Sequence, residues 1–209
     1  MNPLALTALV GLFYILVFGL LSLVRRERLS NQFAFEGLAI TGLAVLAVAA
    51  GFSLHPISLL LILYFITMRA RLLVDAGNLF SARGWFSTAI TIYNLALRLR
   101  PDQIGRLSAR INIGVVHLRR GAPEEAAAVL EDALKSTPED IHPKYEAACR
   151  YNLGLAYRRS EQEEKALRQF RHVIEIFPSS LYARGAQTAI REAMNKAAGK
   201  AENSARGDQ

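Results

Sequence analysis

The amino-acid sequence predicts an all-α protein, in which N-terminal transmembrane helices precede an α-solenoid of three helix-turn-helix repeats and a capping helix. Two observations lead to this fold class. The first 68 of the 209 residues carry only five charged side chains, although charged residues make up 21% of the chain. The remaining residues are rich in charge and repeat one pattern of small residues three times. This division excludes a plain soluble globule and a wholly disordered chain, and the single cysteine, Cys149, excludes a disulfide scaffold.

The first apolar segment, residues 4–24, contains 21 consecutive residues without a charge. As a helix it would be about 31 Å long, which matches the hydrocarbon core of a bilayer. A cleaved signal peptide is the alternative, but such a peptide has basic residues before its apolar run and small residues at its cleavage site. Here the basic residues follow the run, as Arg25, Arg26 and Arg28, so we expect a membrane-spanning helix.

Two more apolar segments predict a second and a third transmembrane helix, at residues 35–54 and 55–68. The second segment has small residues at Ala47 and Gly51, a spacing that lets another helix approach closely in lipid. The third segment begins near Pro56, which suits the first turn of a helix, but its apolar run is short for a full span. A buried hairpin of a soluble domain is the alternative, and the near absence of charge argues against it.

The distribution of arginines predicts the orientation. The loop between the first two helices contains three Arg, and Arg69 and Arg71 follow the third helix, whereas the N-terminal flank and the second turn contain neither Lys nor Arg. Because positive loops are retained in the cytoplasm, we expect a multi-pass protein with its N-terminus outside and its polar part in the cytoplasm. Since no Pro or Gly occurs between Ile57 and Gly77, we expect the third helix to continue unbroken into the polar part.

After residue 68, small and large residues recur at fixed spacing. Three glycines are each followed by an alanine 12 residues later, by a large apolar residue after four more, and by a proline 24 residues after the glycine. The four sets are Gly77, Gly114 and Gly154; Ala89, Ala126 and Ala166; Tyr93, Leu130 and Phe170; Pro101, Pro138 and Pro178. This pattern resembles the tetratricopeptide repeat family, whose 34-residue unit is a pair of antiparallel helices.

The resemblance implies the organisation of the polar part. The glycine and the alanine would lie where the paired helices cross, because a larger side chain would force the helices apart. The units are residues 70–103, 107–140 and 147–180. An amphipathic helix at residues 181–198 would cover the last apolar face, and residues 199–209 are expected to be a disordered tail.

Several positions depart from the family pattern. The aromatic residue at the start of the family's unit is replaced by Leu73, Arg110 and Arg150. His117 replaces an aromatic residue, and Glu161 replaces the glycine of the turn in the third unit. Trp85 lies in the turn of the first unit, where the family usually has a polar residue. It is interpreted as an interfacial anchor, as a contact for another membrane protein or as a residue that packs against the neighbouring helix.

The sequence predicts no catalytic, cofactor-binding or metal site. The four histidines have no partner at the spacing of metal ligands, Cys149 stands alone, and the chain has neither a Gly-rich phosphate loop nor a serine nucleophile elbow. The acid pairs, such as Glu124 and Glu125, lie at predicted helix starts, where they complement the helix dipole. We therefore expect a protein that is not an enzyme and that needs no cofactor.

In members of the family, a protein segment binds the concave surface lined by the first helix of each pair. Carried over to this chain, the resemblance implies a protein-binding groove of Val74, Asn78, Ile111, Asn112, Val115, Arg119, Tyr151, Asn152, Leu155, Arg158 and Arg159. Its apolar floor and arginine edge suit an amphipathic or acidic helix, or an extended peptide. The clamp that some relatives use for a terminal carboxylate lacks its basic residues here, at Val74, Ala148 and Asn152. The alternative is that these residues only pack against the cap helix.

Three functions remain open at this point. The first is a membrane-anchored adaptor that binds a protein partner at the cytoplasmic face and aids the assembly of a membrane complex. The second is a small subunit of a transporter or secretion complex, in which the transmembrane helices contact other membrane proteins. The third is a repeat protein outside the cytoplasm.

The basic balance of the polar part bears on partners of two further kinds. Membrane lipids are expected partners of the arginines near the membrane, which are Arg98, Arg100, Arg106, Arg110, Arg119 and Arg120. Nucleic acid is not expected, because the basic excess is small and interleaved with acids.

Overall fold

The computed structural model describes residues 2–24, 30–137 and 141–207. Within these ranges the chain is an all-α solenoid preceded by apolar helices, which confirms the predicted fold class. The apolar helices are α1 (Pro3–Val24), α2 (Asn31–Ala49) and α3 (Pro56–Thr67). The helix pairs are α4 (Arg69–Ala82) with α5 (Phe86–Arg98), α6 (Gln103–Arg119) with α7 (Pro123–Lys135), and α8 (Pro143–Arg159) with α9 (Glu163–Ile176), followed by α10 (Leu181–Gly207). The predicted loop arginines Arg25, Arg26 and Arg28, and Pro138, lie outside the described residues.

Helices α1 and α2 are long and apolar enough to cross a membrane. Helix α3 is a third candidate span only if it is counted together with α4. A small group of side chains is buried between the three apolar helices: Tyr14, Phe33, Ala44, Leu59, Leu63 and Met68. The Tyr14 hydroxyl and Thr67 Oγ1 form a 2.7 Å hydrogen bond inside this bundle. Most other large apolar side chains of α1 to α3 point outward, as expected of helices whose solvent is lipid.

Glycines set the crossing of α1 and α2. A Cβ atom on Gly11 would lie 2.2 Å from Thr41 Oγ1, and one on Gly37 would lie 2.9 Å from Ile15 Cγ1. Of the small-residue face predicted at Ala47 and Gly51, Gly51 takes no part in this crossing. Helix α2 ends at Ala49, and Gly51 lies in the following turn with φ +96° and no atom within 4 Å of its Cβ position.

The expectation of an unbroken third helix is wrong, because α3 and α4 are bent by 67° at Met68. The backbone bonds from Met68 N to Tyr64 O and from Leu72 N to Met68 O are present next to the bend. The Ile66 carbonyl also accepts a 2.6 Å hydrogen bond from Arg69 Nη1. Met68 is buried in the apolar bundle while α4 packs on α5, so tertiary contacts, without Pro or Gly, bend the chain.

A polar junction joins the apolar bundle to the first helix pair. Arg69 binds the Glu36 carboxylate with both terminal nitrogens, at 2.5 and 2.8 Å, and its Nη2 also donates to the Leu99 carbonyl at 3.3 Å. Gln32 donates to Glu36 Oε1 at 2.9 Å and to the Arg100 carbonyl at 2.8 Å. The end of α5 is therefore tied by side chains to the start of α2.

The three helix pairs cross where the repeat pattern places small residues. A Cβ atom on each repeat glycine would lie 2.4 to 2.6 Å from the large residue of the paired helix, so only glycine fits. The contacts are Gly77 with Tyr93, Gly114 with Leu130, and Gly154 with Phe170. The repeat alanines Ala89, Ala126 and Ala166 are fully buried. These contacts agree with the spacing seen in the sequence.

Helix α10 packs on α8 and α9 as a cap, but it differs from the expectation in two respects. Its buried stripe consists of Ala183, Ala186 and Ala189, whereas the larger residues Leu181 and Met194 are exposed. The helix also continues to Gly207, into the segment 199–209 for which we expected disorder. The segment contains two Ala, one Lys, one Glu and one Arg, which have high helix propensity.

Candidate protein-binding surface

The first helices of successive pairs lie side by side, and α10 continues the row. Helix α4 contacts α6, α6 contacts α8, and α8 contacts α10. We call the side of α4, α6 and α8 that faces away from their paired helices, together with the side of α10 that continues it, the first-helix surface. All residues of the predicted groove lie on α4, α6 or α8.

The apolar residues of the predicted groove divide into accessible and inaccessible ones. Val74, Val115 and Leu155 are half-buried, so part of each side chain is open to a ligand. Ile111 is only 7% exposed and belongs to the core between the pairs. The accessible aliphatic residues come one from each first helix, and we call them the open strip.

Tyr151 packs against the cap helix. Its ring lies 5.8 Å from the ring of Tyr182 on α10 and 5.9 Å from that of Phe170, measured between centroids. A Cβ atom on Gly185 would lie 2.7 Å from Tyr151 Oη, so the absence of a side chain at Gly185 makes room for the tyrosine. Sequence reasoning missed this contact, although a glycine within a predicted helix was a signal for close approach.

The predicted asparagines bond within the stack. Asn78 Oδ1 accepts hydrogen bonds from the Tyr93 hydroxyl at 2.7 Å and from Asn112 Nδ2 at 3.0 Å, which links α4, α5 and α6. Burial raises the pKa of Tyr93 to about 12, so its hydroxyl stays protonated and donates. Asn152 Nδ2 donates to the Ala148 carbonyl at 2.7 Å, one turn back on the same helix.

The predicted arginine edge joins neighbouring first helices at their C-terminal ends. Arg119 Nη1 donates to Ser81 O at 3.2 Å and to Ser81 Oγ at 3.0 Å, and Arg159 Nη1 donates to the Leu118 carbonyl at 2.6 Å. Cations are favourable at these positions because the helix dipole ends in unpaired carbonyls. Arg158 Nη1 pairs with Glu192 Oε2 of α10 at 3.0 Å.

The arginines retain donors for a ligand. A guanidinium has five N–H donors, and the bonds given above for Arg119 and Arg159 all use Nη1. Arg119 and Arg159 are exposed and Arg158 is half-buried. The first-helix surface therefore presents an aliphatic strip with positive charge at one edge, which can bind apolar side chains and carboxylates together.

Two reactive side chains, one buried and one half-buried, lie away from this surface. Cys149 is fully buried, its Sγ lies 3.5 Å from the Leu130 carbonyl, and burial raises the pKa of its thiol to about 12. A thiol with such a pKa is a poor nucleophile at neutral pH. His117 is half-buried with no partner for its Nδ1, and desolvation lowers its pKa. Both residues fit packing roles.

Comparison with known proteins gives the following matches. Two family models, each described as "Tetratricopeptide repeat", match residues 106–137 and 147–180, which contain α6 with α7 and α8 with α9. Among solved structures, the chain is similar to "MamA 41-end from Desulfovibrio magneticus RS-1" and to "MamA RS-1 ArsTM double mutant". Both are 22% identical over 79% of this chain, cover 90% and 89% of their own chains, and have a TM-score of 0.47. No curated protein matches the sequence.

Proposed function

We propose that this chain, a tetratricopeptide repeat protein, is a non-enzymatic adaptor that is anchored in a membrane and binds a segment of another protein on its first-helix surface. Tetratricopeptide repeats are protein-interaction modules, and the finer assignment depends mainly on one observation. The open strip of Val74, Val115 and Leu155 places one half-buried aliphatic side chain on each first helix, on the surface where the arginine edge also lies.

The chemistry of the surface indicates the ligand. Apolar side chains of a partner would pack on the open strip, and its carboxylates would meet Arg119, Arg158 and Arg159 at the edge. An amphipathic helix with an acidic face, or an extended peptide with acidic residues, offers both groups. A simple clamp for a terminal carboxylate is less suitable, because Asn78 and Asn112 bond to each other.

The anchor consists of the apolar bundle. We propose that α1, α2 and α3 make the protein multi-pass, with the N-terminus outside and the repeats in the cytoplasm. The support is the outward apolar surface of these helices and the placement of arginines on one side of them in the sequence. In this position the stack would bring its partner to the membrane during the assembly of a membrane complex.

Co-purification of bound proteins with matched variants tests the adaptor function. The full chain is purified from detergent-solubilised membranes beside Leu155→Glu, which alters the open strip, and Ser87→Glu, which adds the same charge on the exposed surface of α5. Both variants must retain the helical circular dichroism and melting temperature of the parent. We expect Leu155→Glu alone to lose bound proteins by at least about tenfold. Equal recovery from all three forms would contradict the proposal.

A second function is favoured by one feature of α2. The Cβ position of Gly42 has no atom within 4 Å, and the neighbouring Leu43 and Leu46 are exposed, so another transmembrane helix can approach there. The chain would then be a subunit of a transporter or secretion complex held through its membrane helices. Under this alternative, Gly42→Leu disrupts a detergent-stable complex and Leu155→Glu does not.

A further inference from the structure

Exposed large apolar side chains of the repeat part lie at its two ends. In the first pair, Leu79, Trp85 and Leu95 are 51%, 57% and 45% exposed, and α10 exposes Leu181, Tyr182 and Met194. Among the described residues of the second and third pairs, no large apolar side chain is exposed. Solenoids usually cover their end repeats with polar caps, and the first pair has apolar residues there instead.

The first pair also differs in charge from the other two. Residues 69–100 contain five Arg and a single acidic residue, Asp75, whereas residues 103–137 contain five basic and four acidic residues. Residues 141–180 contain seven basic and five acidic residues. Arg69 is bound to Glu36, but Arg83, Arg98 and Arg100 are exposed. The first pair therefore presents a positive surface beside its exposed apolar residues.

With the apolar bundle in a membrane, the bend at Met68 turns one side of α4 toward that membrane. Leu72 packs against the apolar bundle, so this side of α4 faces the bundle. Leu79 is two turns further along the same side of the helix. With α3 along the membrane normal, the 14 residues of α4 rise only about 8 Å above its start.

Trp85 lies in the turn at the far end of α4. Its ring is 5.4 Å from that of Phe80, which holds the indole against the helix while more than half of the side chain stays exposed. Indole rings favour the interface between lipid and water, because one edge is polar and the body is apolar. Arg83 lies two residues before Trp85, where it can reach lipid phosphates.

We propose that the first helix pair lies on an anionic lipid surface, with Leu79 and Trp85 at headgroup depth and Arg83, Arg98 and Arg100 bound to lipid phosphates. This inference rests on the membrane anchor of the proposed function. A second copy of the chain is a poorer occupant, since it would place the same arginines opposite each other with one acidic residue to offset them. The repeat stack is then held at a fixed height and tilt above the membrane.

Trp85 is the single tryptophan of the chain, so its fluorescence reports on this position alone. The full chain is reconstituted into phosphatidylcholine vesicles with and without phosphatidylglycerol, and the same lipids brominated in the acyl chains serve as quenchers. In anionic vesicles we expect a blue-shifted emission, about twofold quenching by brominated lipid, and protection from aqueous iodide. The double variant Arg83→Gln, Arg98→Gln should lose the dependence on anionic lipid.

A second variant of the protein serves as the control. The double variant Trp85→Phe, Tyr182→Trp moves the single tryptophan to the exposed start of α10, where brominated lipid should not quench it. An unquenched Trp85 in protein that resists carbonate extraction would overturn the inference and leave the anchor intact. If the protection of Trp85 from iodide increased with the number of protein molecules per vesicle and did not depend on lipid charge, the inference would be overturned in favour of a second copy. Protein that carbonate removes would overturn the anchor and this inference together.

Discussion

The apolar bundle and the repeat stack bury opposite kinds of residue. In the stack, large side chains such as Tyr93, Leu130 and Phe170 are fully buried against glycine and alanine. In the bundle, most large apolar side chains face outward, and Gly11 and Gly37 lie at the contact between α1 and α2. Both regions use glycine where two helices approach closely, and they differ in where the large apolar side chains lie, which is outward in the bundle and inward in the stack.

The largest effect is expected from a substitution that removes a buried aromatic ring of the stack. Phe170→Ala leaves a cavity against Gly154 and Tyr151 and should lower the free energy of unfolding of the repeat part by about 3–5 kcal/mol. Phe35→Ala is the matched change in the bundle, where the ring is exposed. It should change the free energy of unfolding of the bundle by less than about 0.5 kcal/mol. Urea titration of the full chain in detergent, followed by circular dichroism, measures both. Equal losses would mean that the two regions share one kind of packing.

The next effect tests the glycine crossings. A Cβ atom in Gly154→Ala would lie 2.6 Å from the Phe170 ring, so the helices must move apart at a cost of about 1–3 kcal/mol. Gly42→Ala on α2 meets no atom within 4 Å and should leave the thermal midpoint unchanged or raise it, because alanine favours helix. The comparison would fail if Gly154→Ala were as stable as the parent chain.

A smaller effect concerns the junction between the two regions. Glu36 and Arg69 form a two-point ion pair with side chains 22% and 29% exposed, so their coupling should be about 1–2 kcal/mol. A double-mutant cycle with Glu36→Gln and Arg69→Gln measures this coupling in detergent. A coupling near zero would show that the ion pair does not stabilise the junction. The single variant Glu36→Gln should also make Arg69 more accessible to arginine-specific reagents.

The smallest effect is a dependence on pH within the stack. Burial lowers the pKa of His117 below its ordinary value of 6.5, so the folded protein favours the neutral ring. Its contribution to stability is present above that value and is lost as the pH falls below it. His117→Phe restores the aromatic residue that the repeat pattern has here. The melting temperature of this variant should fall less between about pH 7 and about pH 5 than that of the parent. Identical pH profiles would contradict this role of His117.

The sequence predicted those features that depend on local spacing. The repeat glycines, alanines and large residues lie at fixed intervals, and the structure brings each glycine against the large residue of its own pair. The apolar segments were equally visible, because a span requires a long run without charge. Helix α2 spans Asn31–Ala49, whereas the second apolar segment was predicted at residues 35–54.

The sequence did not predict features that depend on distant contacts. The bend at Met68 coincides with contacts between residues 33 apart, Glu36 and Arg69, which leave no local signal. The residues of the predicted groove lie on the first helices of their pairs, but the sequence did not predict their bonds to one another. Tyr151 is under the cap helix because Gly185 leaves room for it, and Arg158 pairs with Glu192 of the same helix. Such choices depend on how neighbouring pairs pack, which a single repeat does not encode.

Site-specific photocrosslinking tests the central claim most directly. A benzophenone amino acid is placed in the full chain at Val115 on the open strip, at Ser87 on α5, or at Leu43 on the outward side of α2. Irradiation of intact membranes should give a discrete crosslinked protein from position 115 and none from position 87, and Leu155→Glu should abolish that product. A partner captured from position 43 alone, with nothing from position 115, would contradict the adaptor and make the membrane helices the binding surface.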